Sequence, residues 1–287
     1  MVAWTDRLPM APPPCPGRGP SPRAIITFSA DATAPSWKDT MVRNILILGG
    51  STEAYALARE LADRPDIRVI SSLAGRTGTP RLPAGDVRIG GFGGADGLAA
   101  YLRDNHIDAV VDCTHPFAAR MGWNAAQGCA AMDVPLLRLE RPAWVRQGGD
   151  LWDEVVDWTE AATLVGTRSK RVLMTVGRQE LEPFAGLDHV WFLIRSVEMP
   201  DPMPPFTQAE TLLARGPFTD EDERELLITR GIDTIVCKNS GGPTDAKLAA
   251  ARALGIRVII KTRPCRPDTP KAADIAEALS WLSPICA

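Results

Sequence analysis

The chain has no apolar run approaching the roughly 18 residues of a membrane-crossing helix. Its first residues lack a basic flank followed by an apolar core, so neither a span nor a signal peptide is expected and a cytoplasmic location follows. Six cysteines lie scattered without a C-x-x-C pair, and the three histidines, His106, His115 and His189, are equally dispersed. That spacing gives no disulfide framework and no zinc site, so reduced thiols and no bound metal are expected. The formal net charge of -3 argues against nucleic acid as the main partner.

What the sequence does have is a pattern written twice. Residues 107–142 and 232–264 each open on Ile-Asp, run through a β-branched stretch into a polar turn, continue as an alanine-rich helix and a second apolar run, and close on Arg-Pro. Each copy reads as a βαβ unit. Two such halves predict an α/β protein of two Rossmann-like domains with mostly parallel sheets, enclosing an interdomain cleft at the carboxyl ends of their strands. Cys113 and Cys237 end the first strand of each copy and read as core-filling residues.

Residues 1–41 carry Pro9, Pro12 to Pro14, Pro16, Pro20, Pro22 and Pro35 with little apolar periodicity, and are expected to be a disordered leader. The folded chain is expected to begin after Met41, with a first domain over 42–142 and a second over 143–287. Strands are predicted near 44–48, 67–72, 87–89, 108–113, 135–139, 171–175, 190–194, 233–237 and 256–260. Helices are predicted near 52–63, 95–105, 117–131, 159–166, 179–185, 220–230, 244–254 and 271–282. The proline-rich stretch 198–206 is expected to be irregular.

Four turns could carry chemistry. In NILILGGSTEAYALARELA a buried strand delivers Gly49 and Gly50, and Ser51, Thr52 and Glu53 open a helix, an arrangement suited to holding a phosphate. It departs from G-x-G-x-x-G, since Ala54 stands where a closing glycine might be; alone it is also consistent with a plain tight turn. At the end of the second strand no carboxylate occurs, and Ser72, Gly75, Arg76 and Thr77 could bind the extra phosphate of NADP. Thr114 and His115 follow the fourth strand; Thr114 could cap the next helix with Pro116 in its first turn, and His115 could contact ligand, donate a proton or only start the helix. In the second copy Lys238, Asn239, Ser240, Gly241 and Gly242 offer an ammonium, a hydroxyl and a glycine nest for a carboxylate or phosphate, with Arg178 and Gln179 at a neighbouring strand end.

The segments GGSTEA, SSLAGR, DCTHPFA, RLERPAW, GRQEL, ARGPF, CKNSGG and the final RP, in this order over residues 44–264, closely resemble the precorrin-6A reductase family of cobalamin biosynthesis. The resemblance implies an NADPH-dependent oxidoreductase that delivers hydride to one double bond of a contracted tetrapyrrole, giving precorrin-6B. It implies NADPH on the GGSTE and SLAGR segments, THPFA beside the nicotinamide, KNSGG against the macrocycle, and a many-armed carboxylate substrate that accounts for arginines clustered near the turns. The expected partner is thus a small-molecule tetrapyrrole, with neither nucleic acid nor membrane, for a monomer or small homo-oligomer. His115, Lys238 or water could supply the accompanying proton. A cobalt-containing substrate, another NADP-dependent reductase and a two-lobed sensor without turnover stay open. The Tyr-x-x-x-Lys pair usual in nucleotide-sugar reductases and epimerases is absent at both Tyr55 and Tyr101.

Overall fold

Strand β1 (Arg43–Leu48) is buried on both faces from Ile45 to Leu48, which is why its apolar residues run without a polar alternate. Ile45 and Ile47 enter one core, while Leu46 and Leu48 enter the core on the opposite face, as the period of a strand requires. The computed structural model describes residues 42–75, 82–243 and 245–286; the leader 1–41 lies outside them. Among the described residues twelve strands form two parallel sheets of six.

In the first sheet β1 pairs with β2 (Ile67–Leu73), and β2 with β3 (Asp86–Ile89), on one side; β4 (Ala109–Asp112) and β5 (Leu136–Leu139) follow on the other. Helix α1 (Thr52–Ala62) covers one face with Ala54, Leu57, Ala58 and Leu61. Helices α2 (Ala95–Asp104) and α3 (Ala119–Met132) cover the other with Leu98, Leu102, Ala125 and Cys129. The second sheet repeats this order: β7 (Arg171–Thr175) is central, β8 (Trp191–Ser196) and β9 (Ala209–Leu213) lie to one side, and β10 (Thr234–Lys238) and β11 (Arg257–Lys261) to the other. Its faces are covered by α4 (Trp158–Arg168) with Phe184, and by residues of α5 (Asp220–Thr229) and α6 (Ala246–Leu254). In both sheets the order reverses beside the central strand, and ligands of open α/β sheets bind at that point.

The repeated Ile-Asp pair has a structural reason. Asp108 accepts the Asn44 amide at 2.8 Å and pairs with Arg43, while Asp233 accepts the Lys170 and Arg171 amides, each at 2.9 Å. Each aspartate pins the start of the neighbouring central strand. The repeated Arg-Pro marks a crossing. After β5 the chain leaves through Arg141–Pro142, and its next strand, β6 (Trp152–Val155), joins the second sheet beside β11. After β11 it leaves through Arg263–Pro264, and β12 (Lys271–Ala272) joins the first sheet beside β5. Helix α7 (Ile275–Leu282) then packs Ala278 and Leu282 against α1 in the first core.

The tail therefore corrects the expectation that all of 143–287 lies with the second sheet: its last elements return to the first. Two-residue β12 and the four-residue edge strand β6 carry too little pattern to be foreseen, and β9 is largely exposed. The helix predicted over 179–185 is two 3-10 turns, Arg178–Glu180 and Glu182–Phe184, because Pro183 removes an amide donor. No helix among the described residues is long and apolar enough to cross a membrane. Cys113, Cys129, Cys237 and Cys286 are free thiols.

Candidate active site

The first turn is shaped for an anion. Gly49 donates its amide to Ser72 O at 2.9 Å, and Gly50 has φ +111, with open space where a Cβ would point. Ser51 caps α1, its hydroxyl accepting the Ala54 amide at 3.2 Å, and Thr52 and Glu53 form the first helical turn. Exposed amides and the helix dipole at such an end favour negative charge. A pocket beside it is lined by Gly49, Gly50, Ala54, Tyr55, Ser71, Leu73 and Pro83. Within it the buried Ser71 hydroxyl has no hydrogen-bond partner among the described residues, a polar group positioned to meet a ligand. The glycine turn, the capped helix end and the unpartnered Ser71 hydroxyl are features that fit a dinucleotide.

Ser72 points to the other face of β2, where its hydroxyl accepts from Arg88 at 2.9 Å; that guanidinium stacks on Phe92 at 3.8 Å. Gly75 closes the strand end with φ +70. Arg76 and Thr77 lie outside the described residues.

The second turn follows β4. Thr114 does not cap α3: that helix starts at Ala119, with Ala118 before it and no side-chain cap. Its hydroxyl instead donates to Asp112 at 2.6 Å, and its amide to the same oxygen at 3.0 Å. Arg266, from the crossing segment before β12, pairs with Asp112 at 2.5 Å and donates to the His115 carbonyl at 3.3 Å. Both charged side chains are almost fully buried, at 5% and 3% exposure. Gly122 of α3 makes room for that guanidinium, since a Cβ there would lie 2.4 Å from Arg266 Nε.

His115 Nδ1 accepts the Phe117 amide at 3.2 Å, so the neutral ring carries its proton on Nε2 and donates it to Ser240 Oγ, 3.1 Å away. Burial, then the positive charges of Lys238 and Arg141, lower the His115 pKa to about 4. The ring is neutral at pH 7 and is a poor proton source there.

The third turn, after β10, is tied to the crossing segments. Asn239 exchanges two hydrogen bonds with the Trp144 backbone, at 2.9 and 3.0 Å. The Ser240 carbonyl accepts from Arg141 Nε at 2.9 Å and from Arg263 at 3.1 Å. A Cβ on Gly241 would lie 2.0 Å from Pro142 O, and one on Gly242 2.4 Å from Arg141 Cδ. These glycines thus admit the crossing segment, where the sequence suggested an anion nest. Lys238 pairs with Glu180 and lies 5.3 Å from the centre of the Phe117 ring. Arg178 pairs with Glu198 at 3.2 Å, and Gln179 sits exposed beside it in the 3-10 turn.

Arg141 joins the turns. Its Nη1 donates to both Glu53 oxygens, at 2.9 and 3.1 Å, while its Nε holds Ser240. Burial pushes the Glu53 carboxyl up, but its own amide, Arg141 and Ser51 outweigh this and leave it below the ordinary value. Glu53, Thr114, His115, Lys238 and Ser240 are thus linked in one contact network, whereas Ser72 and Gly75 lie at the end of β2 and Arg178 and Gln179 in the turn after β7. Sequence reasoning missed Ser71, Arg88, Asp112, Glu180 and Arg266; for the pair Arg141 and Arg263, the twice-written Arg-Pro was a usable signal.

Residues 44–283 match the family model for precorrin-6x reductase, CbiJ/CobK. The chain belongs to the precorrin-6x reductase family. Among relatives in this family, precorrin-6A reductase of Rhodococcus erythropolis is 51% identical over 83% of this chain and 96% of its own length. The Mycobacterium tuberculosis (strain ATCC 25618 / H37Rv) protein of the same name is 46% identical over 83% and 97%. Cobalt-precorrin-6A reductase of Priestia megaterium is 27% identical over 77% and 90%. The solved structure of CobK precorrin-6A reductase superposes with a TM-score of 0.80, at 40% identity, over 85% of this chain and 97% of that one. Membership of the precorrin-6x reductases makes this an oxidoreductase of cobalamin biosynthesis with a Rossmann-like fold.

Proposed function

We propose that this chain reduces one double bond of precorrin-6A with NADPH, giving precorrin-6B, in the cytoplasm. The observation that carries the reading is the contact of His115 with Ser240 at 3.1 Å, which sets the anion-holding edge of the first sheet against the lysine-bearing edge of the second. When bound, the reduced dinucleotide supplies hydride to one carbon of the double bond. The protein's work is alignment, exclusion of water and delivery of a proton to the neighbouring carbon.

The turn from Gly49 to Glu53 binds the phosphates. Ser72, Gly75, Arg76 and Thr77 bind the 2′-phosphate side, and Thr114 and His115 lie beside the nicotinamide. Lys238 is the proton donor, held by Glu180; neutral His115 keeps its turn against Ser240. Arg178, Gln179 and Lys238 meet substrate carboxylates, while Asn239, Ser240, Gly241 and Gly242 fix the shape of that wall. The coenzyme lobe is 42–142, joined by β12 and α7, and the remainder of 143–287 is the substrate lobe. One chain carries both edges, so a monomer or small homo-oligomer suffices. The metal-free macrocycle is favoured because the relatives named precorrin-6A reductase are 41–51% identical and a cobalt-precorrin-6A reductase is 27% identical.

Mixing the protein with NADPH and precorrin-6A and recording absorbance tests this. The expected result is one dinucleotide oxidised per macrocycle, together with a changed tetrapyrrole spectrum. Binding of both without oxidation would instead make the protein a sensor.

A further inference from the structure

The N-terminus of α1 is already occupied by an anion. The Glu53 carboxylate stands in the first turn of the helix, next to the Ser51 cap, and accepts two hydrogen bonds from Arg141, at the end where a phosphate would bind. Arg141 completes the arrangement from the crossing segment, and a pocket lined by Ser51, Glu53, Thr114 and Arg141 lies between them. The adjoining pocket holds the unpartnered Ser71 hydroxyl, an independent mark of a ligand at this helix end.

Arg141 is gripped unequally. Its Nε is fixed to the Ser240 carbonyl, and its stem passes over Gly242, whose missing Cβ leaves the room. The Nη1 end is tied to the first lobe through Glu53. That end can exchange one anion for another while Nε stays in place.

Resting on the coenzyme reading above, we propose that the Glu53 carboxylate holds the place of the dinucleotide's pyrophosphate, and that Arg141 passes from Glu53 to the pyrophosphate when the dinucleotide binds. Glu53 is then a competitor as well as a place-holder, because a carboxylate beside an incoming diphosphate repels it. Arg141 carries the occupancy of the first turn to the Ser240 turn of the other sheet.

Calorimetric titration of the whole protein with NADP+ and with ADP, which keeps the diphosphate and lacks the nicotinamide, tests the exchange. Glu53→Gln should tighten both ligands by about fivefold or more, and Arg141→Ala should weaken both by about tenfold or more, with Arg141→Lys between. Amide hydrogen exchange at 239–242 should respond to NADP+ in the parent protein and not in Arg141→Ala. Unchanged or weaker binding by Glu53→Gln, unchanged binding by Arg141→Ala, or an exchange response that survives in Arg141→Ala overturns the inference. If the parent protein binds neither NADP+ nor ADP, the coenzyme reading itself fails, and the inference with it.

Discussion

His115 Nε2 lies 3.1 Å from Ser240 Oγ, and, counted from the two Ile-Asp pairs, these residues hold the same position in the two copies of the repeat. The halves thus meet at equivalent points of their ligand-facing edges. The Nδ1 of the same ring accepts the Phe117 amide at 3.2 Å and can do so only while the ring is neutral, which sets a pH window. The His115 pKa falls from 6.5 to about 4 on folding, so its contribution to stability is complete above pH 6.5 and is lost as pH falls through 4. The lost contribution is on the order of 3 kcal/mol. Comparing urea unfolding of the parent protein with His115→Gln from pH 7 to pH 4 isolates it: the parent should lose more stability than the variant, and parallel curves would contradict the assignment.

Glycines in two of the turns serve different needs. Gly241→Ala drives a Cβ into a backbone carbonyl 2.0 Å away and should cost about 2 to 4 kcal/mol. Gly50→Ala meets open space and bears only the strain of φ +111, about 1 to 2 kcal/mol. Chemical denaturation should rank them in that order.

Asp112 and Arg266 form a buried pair that fixes Thr114 and the His115 carbonyl. Asp112→Asn leaves an uncompensated guanidinium and should destabilise by about 3 to 5 kcal/mol. Adding Arg266→Met should recover part of that loss, as melting of the single and double variants would show.

Coenzyme choice is the next test. Arg76→Ala should weaken NADPH binding by about tenfold to a hundredfold, the worth of one charge-assisted contact, and leave NADH unchanged. Equal losses for both would remove its phosphate role.

Much of this was legible in the chain. The buried run Ile45–Leu48, the helix opened by Ser51 and the Ile-Asp repeat fixed the parallel architecture, because each reflects local patterning. The exchange of β6 and β12 between the sheets was not legible, since edge strands of four and two residues carry almost no period. The same reason hid the site's supports. Arg266 lies 154 positions from Asp112 and Arg141 lies 88 from Glu53, and pairing over such distances leaves no spacing to read. The glycines after Ser240 were visible, but the neighbours that require them, Pro142 against Gly241 and Arg141 against Gly242, were not.

The central claim is that the two turns hold NADPH and the macrocycle edge to edge for direct transfer. Supplying NADPH carrying deuterium on the transferred position and weighing the reduced tetrapyrrole tests it most directly. One deuterium per product, carried from the coenzyme with no exchange into water, is the predicted result. Reduced product without the label, or oxidation of NADPH with an unaltered macrocycle, would contradict it.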